Sequence, residues 1–155
     1  MFTVRGLSLA GALAGAVLLA APAAFAGECP AGQVRANVTK PMTTPKGVSD
    51  KVLASIDLSK EKIGAKERQF RLRKLEIEPG GIVPFHSHAD RPALIYVVEG
   101  EIYEYSSECG VPILHKAGEV STETHVTSHW WQNATDKKVV LLSADILHDV
   151  SDKNM

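Results

Sequence analysis

The sequence predicts an all-β fold, a single domain built as a sandwich or barrel of short strands. Short apolar-rich runs recur from residue 67 to residue 146, glycine and proline turns separate them, and no window after residue 66 holds a helical period. The 155 residues suit one ordinary domain, and no internal repeat divides them. Seventeen basic against 18 acidic residues leave a formal net charge of -1, so no strong field draws the chain to nucleic acid or to an anionic membrane. Partners of those two kinds are not expected, and a small molecule is.

The elements follow in chain order. Met1 to Gly6 carries Arg5 and precedes an apolar run through Leu18, Leu19 and Ala20. Pro22 breaks the run, and Ala24, Phe25, Ala26 offers small residues at both recognition positions of a signal peptidase. Residues 1–26 therefore read as a cleaved signal peptide, with the mature chain starting at Gly27 in the periplasm or outside the cell. The apolar stretch is short for a membrane anchor, and Glu28 before Cys29 does not suit lipidation.

Residues 27–66 read as an N-terminal extension, because Pro30, Pro41 and Pro45 interrupt any apolar period. Within it Val52, Leu53, Ile56 and Leu58 suit either a short helical turn or an edge strand. The compact barrel domain is expected over 67–150, with 151–155 as a tail. It opens with a half-buried strand in which Phe70, Leu72, Leu75 and Ile77 alternate with charged residues, with one slip that suggests a bulge. A turn at Pro79, Gly80, Gly81 and strands at 82–85, 93–98, 102–105, 112–114 and 139–146 complete the pattern.

Cys29 and Cys109 are the only two cysteines, and in an exported chain they are expected to form one disulfide tying the extension to the loop 106–110. The alternative is a reactive thiol.

The chemistry is carried by two spaced motifs. Gly80 is followed after five residues by His86, then by His88, and after eleven more residues by Gly100. Strand residues two apart point to one face, so His86 and His88 can share a metal through their imidazoles. Two strand histidines alone are weak evidence. A second motif adds weight: Gly118, five residues, Thr124, His125, Val126, then His129 and Asn133.

Together these motifs resemble those of the cupin superfamily over residues 80–133, with Thr124 and Val126 standing where the family usually has proline and glycine. The resemblance implies a double-stranded β-helix, the jelly-roll (cupin) barrel. It also implies that His86, His88 and His129 hold one divalent metal ion, iron, copper, zinc or manganese, with open positions opposite. The family's glutamate falls at Ala93 in this chain, so the ligand set resembles the three-histidine dioxygenases more than the germin-like cupins. Asp90 or Glu123 would have to swing in to replace it, although a solvated loop carboxylate is the plainer reading of each.

Trp131 shares strand parity with His129 and should line the interior with Ala93, as core or as a pocket wall. Trp130 should point outward, to the exterior or a subunit interface. His125 is a weak candidate for a proton shuttle and Arg91 for receiving a substrate carboxylate, the alternative for both being an ordinary surface residue. His115 suggests no role. Two functions suit this pattern: a metal-dependent oxidoreductase, dioxygenase-like, acting on a small anionic or enolisable substrate, or a binding protein that captures a metal or small molecule without turnover. A metal-free isomerase would need no such ligand set. Family likeness further suggests a homodimer.

Overall fold

The computed structural model describes residues 27–36 and 40–148. The expected leader and the C-terminal tail lie outside the described residues. The strands are β1 (Lys46–Asp57), β2 (Gln69–Ser87), β3 (Ala93–Glu99), β4 (Glu101–Ser106), β5 (Ile113–Lys116), β6 (Val120–Glu123), β7 (Ser128–Gln132) and β8 (Val139–Leu147), with one 3-10 turn at Leu58–Lys60. They form one sheet in the order β5-β4-β7-β2-β8-β3-β6, with β1 added alongside β2, and it curls into a nearly closed all-β barrel.

The long strand β2 joins the two halves of that barrel. Residues 69–77 pair with β8, and residues 82–87 pair with β7. The turn expected at Pro79, Gly80, Gly81 is instead a bend inside this one strand. Gly80 takes a φ of 68° there, and a Cβ on Gly81 would stand 2.6 Å from the Ile77 side chain, so both positions require glycine. Asn133 holds the bend. Its backbone exchanges bonds with Gly80 and Gly81, and its fully buried amide donates to the carbonyls of Ile77 at 3.0 Å and Lys137 at 2.7 Å. Asn133→Ala would leave those acceptors without a partner, and a loss of about 3 kcal/mol is expected, read as a lower midpoint in urea unfolding.

β1 lies inside the segment read as an extension, yet it pairs with β2 from Ile82 to Gln69, so the sheet begins at Lys46. Nearly all its residues are exposed on both faces, which is why no alternation marks it. The two readings of 52–58 are both present: Val52, Leu53 and Ile56 belong to the edge strand, and Leu58 opens the 3-10 turn capped by Asp57. The remainder of the arm is pinned by the disulfide between Cys29 and Cys109, whose Cα atoms are 5.7 Å apart. Bonds from Gly110 N to Gln33 O at 2.8 Å and from Arg35 N to Glu108 O at 3.0 Å continue the tie. Closing an 80-residue separation, the bridge stabilises the fold by about 4 kcal/mol in the chain-entropy view.

Inside the barrel, side chains change character along each strand. Ile77, Val97, Ile102 and Val139 are completely buried and fill one end. Moving along β8, Leu141 gives way to Ser143 and then Asp145, and along β2 Leu75 gives way to Arg73. The chain thereby spends its apolar residues on a core at one end and keeps polar chemistry for the other.

Candidate metal centre

Strand pairing brings the three histidines together. His86 on β2 lies opposite His129 on β7, and His88 follows at the end of β2. Their Nε2 atoms form a triangle with sides of 3.0 Å (His86 to His88), 3.1 Å (His88 to His129) and 3.2 Å (His129 to His86). Nitrogen ligands about 2.0–2.1 Å from a zinc-like ion would stand about 2.9 Å apart at right angles and about 3.4 Å apart at tetrahedral angles. The observed triangle falls between these limits.

The opposite ring nitrogens decide what the triangle can hold. Nδ1 of His86 faces the Pro84 carbonyl at 2.8 Å, Nδ1 of His88 the Arg91 carbonyl at 2.8 Å, and Nδ1 of His129 the Glu104 carboxylate at 2.8 Å. All three partners are acceptors, so each Nδ1 carries the proton and each Nε2 lone pair points into the shared hollow. Three buried lone pairs at this spacing repel unless a positive charge joins them, either a proton on one ring or a metal ion among all three. The donor set therefore fits a divalent ion.

Charge around the hollow differs from ring to ring. Burial, and then the neighbouring His129, hold His86 well below the usual imidazole value and His88 at about 4. Burial also opposes a charge on His129, but the Glu123 carboxylate and the Glu104 hydrogen bond outweigh it and raise His129 above its usual value. Burial works against ionised Glu104 as well, yet hydrogen bonds from His115 and His129 bring it down to about 2. Glu123 is pushed up, chiefly by burial.

Two residues of this network, Glu104 and His115, escaped the sequence reading, and a third, Glu123, stands elsewhere than that reading set it. Glu104 on β4 accepts from His115 Nε2 at 2.8 Å as well as from His129, so a His115–Glu104–His129 chain stands behind the centre. His115, read as a turn residue without a role, is fully buried on β5. Glu123, read as a solvated loop carboxylate or a ligand that swings in, is buried on β6 directly opposite Ala93, the position of the missing family glutamate. Its Oε2 lies 3.5 Å from Nδ1 of His129, on the far side of the ring from the hollow, and Ser121 donates to its other oxygen at 2.6 Å. Parity was the available signal: Glu104 shares a face with Ile102, His115 with Ile113, and Glu123 with Ser121. Loss of the carboxylate in Glu104→Gln should weaken zinc binding about 10–100-fold, measured by chelator competition, because an amide is a weaker, uncharged acceptor for the His129 Nδ1–H and offers its NH2 donor to the second histidine.

The other expected residues are placed as follows. Trp131 lines the interior, stacks on His115 with ring centroids 4.6 Å apart, and meets the His129 ring edge-on at 5.5 Å. Ala93 packs in the apolar core and does not line the cavity beside the histidines. Trp130, expected to point outward, is buried and stacks on Tyr105 at 3.8 Å. Arg91 is buried rather than solvent-facing, its Nη1 3.9 Å from Asp145. Asp145 collects Arg71 at 2.7 Å and Arg73 at 3.2 Å too, and Arg73 also pairs with Asp50 of β1. Asp90 is exposed and bonds Arg68 and His148, away from the hollow. His125 is exposed and lines an outer cleft of about 480 Å³ that reaches His88. The inner cavity beside the three Nε2 atoms, by contrast, holds only about 20 Å³, bounded by Arg73, Ser143 and Trp131 among others.

The sequence model of the cupin domain family matches residues 73–145, which run from within β2 to within β8. The chain belongs to the cupin superfamily. A search of curated proteins finds no match. Among solved structures, this cupin resembles a predicted oxalate decarboxylase from Thermotoga maritima, with 26% identity and a TM-score of 0.54 over 74% of this chain and 97% of the other. It also shares its fold with the cupin domain of an XRE family transcriptional regulator from Enterobacter cloacae, at 15% identity and TM-score 0.51, covering 67% of this chain and 99% of that one. An oxalate oxidase shares the fold at 18% identity and TM-score 0.50, over 72% of this chain and 57% of the oxidase.

Proposed function

We propose that this cupin is an exported protein that holds one divalent metal ion on His86, His88 and His129 and acts as a metal-dependent oxidoreductase on a small anionic substrate. The observation that carries the reading is the set of three convergent Nε2 lone pairs, each fixed by an acceptor on its Nδ1. Iron, copper or manganese bound there would supply redox and Lewis-acid chemistry to a ligand in an open position.

The chain's own residues argue for an anion. Three neutral imidazoles leave an ion's formal charge uncancelled, and Arg73 lines the same inner cavity while Arg91 lies buried close by. Arg73 would meet a carboxylate entering the cavity, and Trp131 with Leu75 and Ile95 would exclude water from it. The likeness to a predicted oxalate decarboxylase supports a small carboxylate as the class. Substrate approach would come from the outer cleft, where His88 forms the shared wall and His125 and Arg68 stand at the rim.

The size of the inner cavity favours a second reading, capture of a metal without turnover, since about 20 Å³ admits little more than a water molecule. One experiment separates the two. The protein is purified from its export compartment, its metals are counted by mass spectrometry, and oxygen consumption and carbon dioxide release are followed with oxalate and related small acids, thiols and diketones. Stoichiometric redox-active metal with turnover supports the oxidoreductase. Bound zinc or copper without turnover supports capture, and a protein that takes up no metal at all removes both. A homodimer through the exposed apolar face of Leu94, Tyr96 and Val120 belongs to the same proposal, and a monomer mass in light scattering would remove it.

A further inference from the structure

The outer cleft and the inner cavity differ too much in size to hold the same part of a ligand. The inner cavity beside the three Nε2 atoms holds about 20 Å³ and the outer cleft about 480 Å³, and His88 is the one residue that borders both. The larger volume is ordinary for a small-molecule site, whereas the smaller admits only a head group. Oxalate and acids of its size have nothing to place in the cleft.

The lining of the cleft says what it takes. Apolar side chains reach it from three separate parts of the chain: Leu58, Ile63 and Ala65 between β1 and β2, Pro92 just before β3, and Ile146 on β8. Leu58, Ala65 and Ile146 are half-buried, so each keeps some surface that a ligand can cover. At 72% exposure, Ile63 stands out further than any other large apolar side chain among the described residues. An exposed isoleucine is unremarkable alone, but this one shares a concave surface with four other apolar groups.

The charges of the cleft are closed on one another. Arg68 donates to the Asp90 carbonyl at 2.7 Å and to the Asp90 carboxylate at 2.6 Å, and the other carboxylate oxygen meets Nδ1 of His148 at 2.7 Å. No fixed charge is left over there to draw a carboxylate or an ammonium group, so apolar contact is what the cleft offers. Attraction for an anion lies inward, where a divalent ion on three neutral imidazoles keeps its formal charge.

We propose that the outer cleft holds the apolar body of a ligand whose carboxylate meets the metal, so that the ligand class is a carboxylic acid with an aliphatic or aromatic body rather than oxalate. The head passes His88 to reach the ion, and the body lies along Leu58, Ile63 and Ile146. This rests on the metal-centre reading of the proposed function, though not on whether the metal turns over a substrate.

The test titrates the full protein, loaded with zinc, with acetate, butanoate, hexanoate and octanoate in a calorimeter, the zinc content being counted on the same sample. Affinity is expected to rise about threefold for each methylene that reaches the cleft. Ile63→Asp, which alters an exposed side chain, should abolish that rise and leave acetate unchanged. Ile56→Asp, at another exposed isoleucine that lies on β1 outside the cleft, should leave the whole series unchanged. Zinc-free protein should bind octanoate at least about tenfold more weakly, because the head has lost its partner. A flat series on protein that carries one zinc ion overturns the proposal and leaves the metal centre standing. So does a rise that persists in Ile63→Asp, since the body then lies elsewhere, or octanoate binding undiminished without zinc, since the head is then not on the metal. A protein that takes up no zinc overturns the metal centre and this proposal together.

Discussion

His129→Ala is expected to lower the affinity for zinc or cobalt at least about a thousandfold, equivalent to roughly 4 kcal/mol. Its ring supplies one of three nitrogens, and the remaining pair, His86 and His88, would hold an ion only as a surface chelate does. His86→Ala should have a similar effect on binding with a smaller effect on folding, because its Nδ1 contacts only the Pro84 carbonyl, whereas removing His129 strands Glu104 and Glu123 in the interior. His125→Ala is the matched control and should change affinity less than twofold, since His125 is exposed outside the triangle. The absorption of bound cobalt together with chelator competition reads all three. Wild-type affinity in His129→Ala would refute the centre.

Metal affinity should also fall steeply with pH, and in a definite pattern. Without a metal, a proton on His129 would relieve the hollow, since Glu123 and Glu104 raise its value above the usual one against the effect of burial. A metal ion must displace that proton. Below the raised value the logarithm of the affinity should therefore lose about one unit per pH unit. His86 and His88 add no competition there, because burial keeps both neutral, His88 down to about 4. Below that the slope should steepen as a second proton enters. Calorimetry in buffers of different ionisation enthalpy would count the protons, one released per ion below the raised value of His129. Release of none would show that the three rings are already neutral and that some other charge occupies the hollow.

Glu104→Gln links the two results. It should lower affinity and also shift the pH dependence to lower pH, because His129 would lose one of the groups that raise its proton affinity.

Arg71 and Arg73 meet the buried Asp145 in a cluster beside the inner cavity. The cluster also connects the edge strand to the centre. Asp50 of β1 pairs with Arg73, and Arg73 lines the cavity beside the histidines. A strand exposed on both faces thus sets the position of a cationic side chain in the interior.

By itself the sequence determined the all-β class, the family and the three histidines. Those features repeat at short intervals: glycines at turns, and a two-residue spacing that sets His86 and His88 on one face whatever the rest of the chain does. The disulfide partners were legible for a simpler reason, there being only two cysteines. Only the tertiary structure decided what surrounds the histidines. Glu104, His115 and Glu123 come from three strands whose alternation is ambiguous, since Tyr103 and Tyr105 are as apolar as the inward Ile102 and Ile113 is followed by Leu114. Arg73 and Arg91 carry charges that local pattern assigns to solvent, and they are buried because Asp145 and Asp50 arrive from β8 and β1 to pair with them. A ligand pair can be written in adjacent residues, but the acceptors that orient its rings and the charges that balance it are contributed across the barrel, where sequence distance carries no signal.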